Sequence, residues 1–234
     1  MAEVNSPGTL GGLLALLAHD LRNPLSALHS NVGFLETTLA GQDQDSLDAL
    51  SDIGASCSSL KHIIDNLELL GLSVLGDRPP MEQGQLSLWD VTHEAVHRLE
   101  PIARSYGATV VFEADRKLAP RVLAHREMFG RALGNLLFNA IQNGGSQGEV
   151  HVTLASGSGE GSVRIADAGP VLPETLRVAA FTADGQLNTK GDSRGRYSRG
   201  LGLFAAATAA ALAGADVRAT AAERNTFELR AKLA

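Results

Sequence analysis

A single cysteine, Cys57, stands in 234 residues. It excludes an intrachain disulfide and any cysteine-cluster metal site, and it fits a reducing compartment. No long run of lysine and arginine occurs and the formal net charge is −6. Both facts argue against nucleic acid as a partner. No apolar run is long enough to span a bilayer. The Ala-rich stretch 205–215 is interrupted by Thr208 and Gly214 and reads as a packed helix. The N-terminus lacks the basic start of a signal peptide. These absences predict a cytoplasmic protein. Internal repeats are also missing. What remains is ordinary for a globular chain, 44% hydrophobic and 20% charged, with length for one or two domains and a real core.

Leu10, Leu14, Leu17, Leu21, Leu28 and Leu35 mark one stripe at steps built from three and four, with Leu25, Val32 and Leu39 beside it. The spacing predicts a bundle helix over residues 9–40. A polar turn at 41–45 leads to a second helix, 46–75. Its seam runs through Leu50, Ile53, Cys57, Leu60, Ile64, Leu67, Gly71 and Val74. Two such helices make an antiparallel hairpin, and Cys57 becomes a buried thiol. A lone hairpin leaves a broad apolar face in water, so two copies are expected to pair into a four-helix bundle, a homodimer through helices 10–40 and 46–75. A hairpin packed on its own C-terminal domain is the alternative.

With Leu14 and Leu17 at a and d, His19 falls at the outward f position, and Arg22, Asn23 and Ser26 share that side. An exposed imidazole beside the Asp20 carboxylate suits nucleophilic phosphoryl chemistry. Surface histidines are common. Pro24, inside a helical pattern where proline costs about 3 kcal/mol, sets this one apart.

Residues 76–84 are rich in turn formers, and the periodicity changes beyond them. The reading is a helical domain at 1–76, a linker at 77–85 and a second domain at 86–234. In the second domain, strands are predicted at 85–89, 108–113, 121–124, 149–155, 161–166, 216–220 and 226–233. Helices are predicted at 91–106, 127–142 and 201–212. The fold class is α+β, with the hairpin followed by a two-layer α/β sandwich.

Three motifs in this domain carry chemistry. Asn135 and Asn139 lie one turn apart on an otherwise apolar helix. Paired carboxamides there can complete the oxygen shell of a Mg²⁺ that also holds phosphates. Asp167, at a strand end before Ala168 and Gly169, can accept a hydrogen bond from an exocyclic amine while the backbone nears a flat base. Gly200 and Gly202, opening a helix, let backbone N–H groups approach a phosphate. The polar stretch 181–197 suits a lid. Each motif alone also fits an ordinary cap, turn or loop.

In order, these motifs resemble the catalytic core of bacterial sensor histidine kinases. Residues His19 to Leu25 resemble the H-box, Asn135 to Asn139 the N-box, Asp167 to Gly169 the first Gly box, and Arg199 to Leu203 the second. The resemblance runs from about Leu10 to Leu233. It implies a dimerisation and phosphotransfer hairpin followed by an ATP-binding domain. His19 would be the phospho-acceptor, Asp20 its acid/base partner, and Asn23 the position that orients water when a receiver is dephosphorylated. Asn139 would ligate Mg²⁺ with Asn135 in support. Asp167 would read the adenine amine, and Gly169, Gly200 and Gly202 would line the nucleotide. ATP and Mg²⁺ are the implied cofactors. The implied function is autophosphorylation of His19, then transfer to an aspartate of a response-regulator receiver domain. Related ATPases carry a glutamate where Asn135 stands, and a neutral amide activates water poorly, so transfer is favoured over hydrolysis.

The chain departs from the family pattern at Gln142, Asn143, Val171 and Ser198, in Leu212 to Gly214, and at His125, where Asp is common. These departures leave a second reading: a histidine phosphotransfer protein whose degenerate domain binds no ATP and which relays phosphate between receivers. A non-catalytic scaffold is the third. Little chain precedes Leu10, so the signal is expected from a separate sensor protein. A fragment of a longer receptor is the other possibility.

Overall fold

The computed structural model describes residues 14, 21–22, 25–26, 28–35, 37–38, 44–74, 81–144, 148–182, 201–220 and 224–234. The chain divides into two compact units, Met1–Asp77 and Arg78–Ala234.

In the first unit the described residues from 21 to 38 are helical, and a helix, α1, spans Gln44–Val74. Leu25 packs in a core with Cys57 and Ile64, and Leu67 lies against it. Arg22 Nη2 reaches Asp65 Oδ1 at 3.1 Å and Glu68 Oε2 at 3.4 Å. Contacts between residues more than forty positions apart define the antiparallel hairpin. Arg22 thus bridges to α1, where the heptad reading placed it on the outer side. Ser26 is exposed as that reading expects. The apolar stripes are split. Leu25, Val32, Leu50, Cys57 and Ile64 are buried, while Leu21, Leu28, Leu35, Ile53, Leu60 and Ile63 are 40–54% exposed.

In the second unit the elements run β1 (Gly84–Ser87), α2 (Leu88–Ser105), β2 (Thr109–Phe112), β3 (Arg121–Ala124), α3 (Arg126–Asn143), β4 (Glu149–Gly157), β5 (Glu160–Asp167), α4 (Gly202–Ala213), β6 (Asp216–Thr220) and β7 (Asn225–Lys232). Two short 3₁₀ turns, Glu174–Leu176 and Ala179–Phe181, follow β5. β1 and β3 form a small antiparallel sheet. The main sheet has the order β2-β4-β5-β7-β6, with only the β2–β4 pair parallel.

The alternation of β7 sets the two layers. Phe227, Leu229 and Ala231 are buried beside Val163 and Ile165 of β5, facing helices whose buried side chains include Phe129, Leu133, Leu136, Leu137 and Ile141. Each such side chain contributes about 1.5–3 kcal/mol on burial. The start of α2 is capped by Ser87 Oγ, which accepts the Asp90 N–H at 3.2 Å. α3 is capped by His125 Nδ1, which accepts the Met128 N–H at 3.4 Å. α4 ends in Gly214 at φ +75°, a left-handed conformation that favours glycine.

The opposite sheet face carries a cross-strand charge ladder. Glu228, with a side chain 3% exposed, accepts from Arg164 Nε at 2.9 Å, Arg218 Nε at 2.7 Å and Ser162 Oγ at 3.0 Å. Burial opposes the Glu228 charge, but the hydrogen bonds from Arg164, Arg218 and Ser162 outweigh it and hold the carboxyl below the ordinary glutamate range. A depressed folded-state value means the stabilisation is complete above the unfolded-chain value and is lost as pH falls through the folded one. Glu228→Gln is expected to cost about 2–3 kcal/mol at neutral pH. Urea unfolding should show the gap between wild type and variant closing on acidification. An equal gap at pH 7 and pH 3 would contradict this account.

Candidate nucleotide site

The site is built along α3, which packs against both α4 and β5. α3 places Asn135 and Asn139 on one face. Asn135 is 3% exposed in an apolar helix. Its Nδ2 donates to the Arg131 carbonyl at 3.0 Å, and its buried Oδ1 accepts no hydrogen bond. Asn139 Oδ1 accepts from Asn143 Nδ2 at 2.9 Å, and its buried Nδ2 donates none. Leaving a buried polar atom unmade costs about 1–3 kcal/mol. Two such atoms one turn apart are what a polar ligand would satisfy.

The opening of α4 meets Asn135. A Cβ on Gly202 would lie 3.8 Å from Asn135 Oδ1. Among the described residues no side chain caps that helix start, and the first N–H groups of a helix are suited to an anion. Gly200 lies outside the described residues, as do His19, Asp20, Asn23 and Ser198.

β5 delivers Asp167 at its last position, fully buried. Its Oδ1 accepts the Gly169 N–H at 2.8 Å, closing the turn that the Asp-x-Gly spacing implies. Its Oδ2 accepts from Asn225 Nδ2 at 2.7 Å. Asn225, 1% exposed, also accepts the Leu172 N–H on its Oδ1 at 3.3 Å. Asn225 was not legible as a site residue. It falls one position before the strand predicted at 226–233. Only the β5–β7 register, which sets Asp167 opposite Asn225, brings the two together.

Two of the departures from the family pattern have defined surroundings. Gln142 Nε2 donates to Tyr106 Oη at 3.1 Å, and Asn143 holds the Asn139 carboxamide. Val171 is 36% exposed.

Residues 124–234 match the family model of histidine kinase-, DNA gyrase B- and HSP90-like ATPases, and residues 9–72 match that of the His Kinase A phospho-acceptor domain. The signal transduction histidine-protein kinase AtoS of Escherichia coli is 28% identical over 183 residues, covering 77% of this chain and 29% of AtoS. The adaptive-response sensory kinase SasA of Synechocystis is 28% identical over 196 residues, covering 82% of this chain and 51% of SasA. The chain thus spans about half or less of these relatives. Among solved structures, full-length ShkA in complex with AMPPNP shares the fold with a TM-score of 0.61 at 21% identity, over 95% of this chain and 46% of that one. With a phospho-acceptor domain and an ATPase domain in that order along most of its length, the chain belongs to the sensor histidine kinases and carries their catalytic core.

Proposed function

We propose that the chain is an ATP-dependent protein histidine kinase that phosphorylates its own His19 and passes the phosphoryl group to an aspartate of a response-regulator receiver domain. One observation supports the nucleotide half of this reading: two buried carboxamide atoms one helical turn apart make no hydrogen bond, and the first of them, Asn135 Oδ1, faces the start of α4, which no described side chain caps.

The residues fit Mg-ATP by their chemistry. Asn139, held by Asn143, would supply a neutral oxygen to Mg²⁺, with Asn135 behind it, and the α4 start with Gly200 and Gly202 would receive the phosphates. Magnesium would neutralise charge on the phosphate chain. Asp167 would accept the adenine amine beside Gly169. The imidazole of His19 attacks the γ-phosphorus in line; an N–P bond forms, the bond to the β-phosphate oxygen breaks, and ADP leaves with its electron pair. Asp20 takes the ring proton. Positioning supplies most of the acceleration. Asn23 would orient water if the receiver is dephosphorylated.

Dimerisation is part of the proposal. Leu21, Leu28, Leu35, Ile53, Leu60 and Ile63 leave an apolar face on the hairpin, and a second copy is the expected cover. Replacing Leu60 and Ile63 together by Asp should weaken self-association at least about a hundredfold, since a desolvated charge pair has no partner there. Light scattering after gel filtration reads this directly; an unchanged dimer would place the interface elsewhere. The receiver and a separate sensor are further proposed partners. No helix among the described residues is long and apolar enough to cross a membrane, and the proposed location is the cytoplasm.

The test is incubation with Mg²⁺ and γ-labelled ATP, followed by a nucleotide titration. Acid-labile, alkali-stable label supports the kinase. Failure to bind ATP would leave the hairpin as a phosphotransfer relay and remove the proposed function.

A further inference from the structure

Asn225 is buried beside Asp167 and has no role in the scheme above. It opens β7 directly opposite Asp167 and is 1% exposed. Its carboxamide is oriented by two bonds of opposite sense. Oδ1 accepts the Leu172 N–H at 3.3 Å, and Nδ2 donates to Asp167 Oδ2 at 2.7 Å. Turning the amide over would set oxygen against carboxylate and NH₂ against N–H. Asn225 is therefore a one-way donor. On the other side Asp167 Oδ1 takes the Gly169 N–H at 2.8 Å. A carboxylate gripped on both oxygens cannot swing about its Cβ–Cγ bond, so the direction in which it accepts a further hydrogen bond is set.

We infer that Asn225 is the positioning residue that makes this site select a purine bearing an exocyclic amine over the same purine without one. The inference rests on the nucleotide reading and deepens it. Selectivity of this kind comes from a buried acceptor whose direction is fixed and which the wrong ligand fails to meet. The penalty is felt only if the acceptor cannot turn away to another donor. Without the Asn225 donor, one of the hydrogen bonds that fix the carboxylate's direction is lost. The amine is then rewarded less and its absence is punished less.

The experiment titrates the full chain with ATP and with purine riboside triphosphate, which has hydrogen in place of the amine, both with Mg²⁺. Wild type is compared with Asn225→Leu and Asn225→Ser, and thermal unfolding is followed for each. Leu keeps the branched shape without the polar atoms but is larger; Ser deletes the carboxamide without overfilling and carries the test if Leu does not fold. The wild type should prefer ATP by at least about tenfold, the worth of one hydrogen bond to a charged group. In the variants the preference should fall below about threefold, through loss of ATP affinity, with the analogue within about twofold of wild type. Equal weakening of both ligands, or an unchanged ratio, would overturn the inference and make Asn225 a structural residue only. A wild type that binds ATP without preferring the amine also overturns it. A wild type that binds neither nucleotide overturns the nucleotide reading and the inference together.

Discussion

Asp167→Asn is expected to weaken ATP binding at least about a hundredfold. The substitution exchanges one carboxylate oxygen for NH₂ and removes the charge. Whichever position the new NH₂ takes, it meets a donor: the Gly169 N–H on one side or Asn225 Nδ2 on the other. Each hydrogen bond to a charged group is worth about 1.5–3 kcal/mol, and each 1.4 kcal/mol is tenfold in affinity. Losing the acceptor for the amine and misdirecting its holder together reach the hundredfold figure. The variant will also be less stable, because Asp167 is fully buried, so stability must be separated from binding. Glu228→Gln supplies that control. Glu228 lies on the opposite face of the same strand pair, where side chains alternate away from the site. It should cost comparable stability and leave ATP affinity within about twofold. If both variants lose affinity in proportion to stability, Asp167 is a core residue and not a nucleobase reader.

Asp167 and Asn225 also show where sequence reading stops. Asp167 is legible because a carboxylate at a strand end, two residues before glycine, has a local reason to be there. Asn225 has none; its meaning arises from register across strands fifty-eight residues apart. Asn135 and Asn139 are legible because polar residues at i and i+4 on an apolar helix contradict burial unless something pairs with them. The orphaned Oδ1 and Nδ2 atoms show that contradiction in atomic form. In the hairpin the three-four spacing identifies the apolar residues but not their partners. Cys57 and Ile64 point into the hairpin while Ile53 and Leu60 stay exposed, a division that depends on how two helices roll against each other. Arg22 read as outward because heptad position alone cannot anticipate Asp65 and Glu68 across the gap. The turns at 174–176 and 179–181 have no periodicity to reveal them.

Phosphorylation itself should vanish in His19→Ala, with label falling to background while ATP affinity stays within about twofold. The nucleophile is the only group of the scheme that forms a bond to phosphorus, so its removal has no partial outcome. The chemistry of the label identifies the acceptor independently of the mutation. A phosphoramidate on imidazole is acid-labile and survives alkali, whereas an acyl phosphate on Asp20 would be lost in alkali. Asp20→Asn should slow labelling about 10²–10⁴-fold without abolishing it, the range for removing a general base from a nucleophile that keeps its own lone pair. Asn139→Ala should remove label through loss of Mg-ATP binding, and saturating nucleotide should restore part of it; saturating nucleotide cannot restore His19→Ala. That difference separates the acceptor from the nucleotide site although both variants look dead in a single-point assay. Persistent acid-labile label in His19→Ala would move the acceptor to another histidine and dissolve the H-box assignment, while leaving the Asn135, Asn139 and Asp167 site intact.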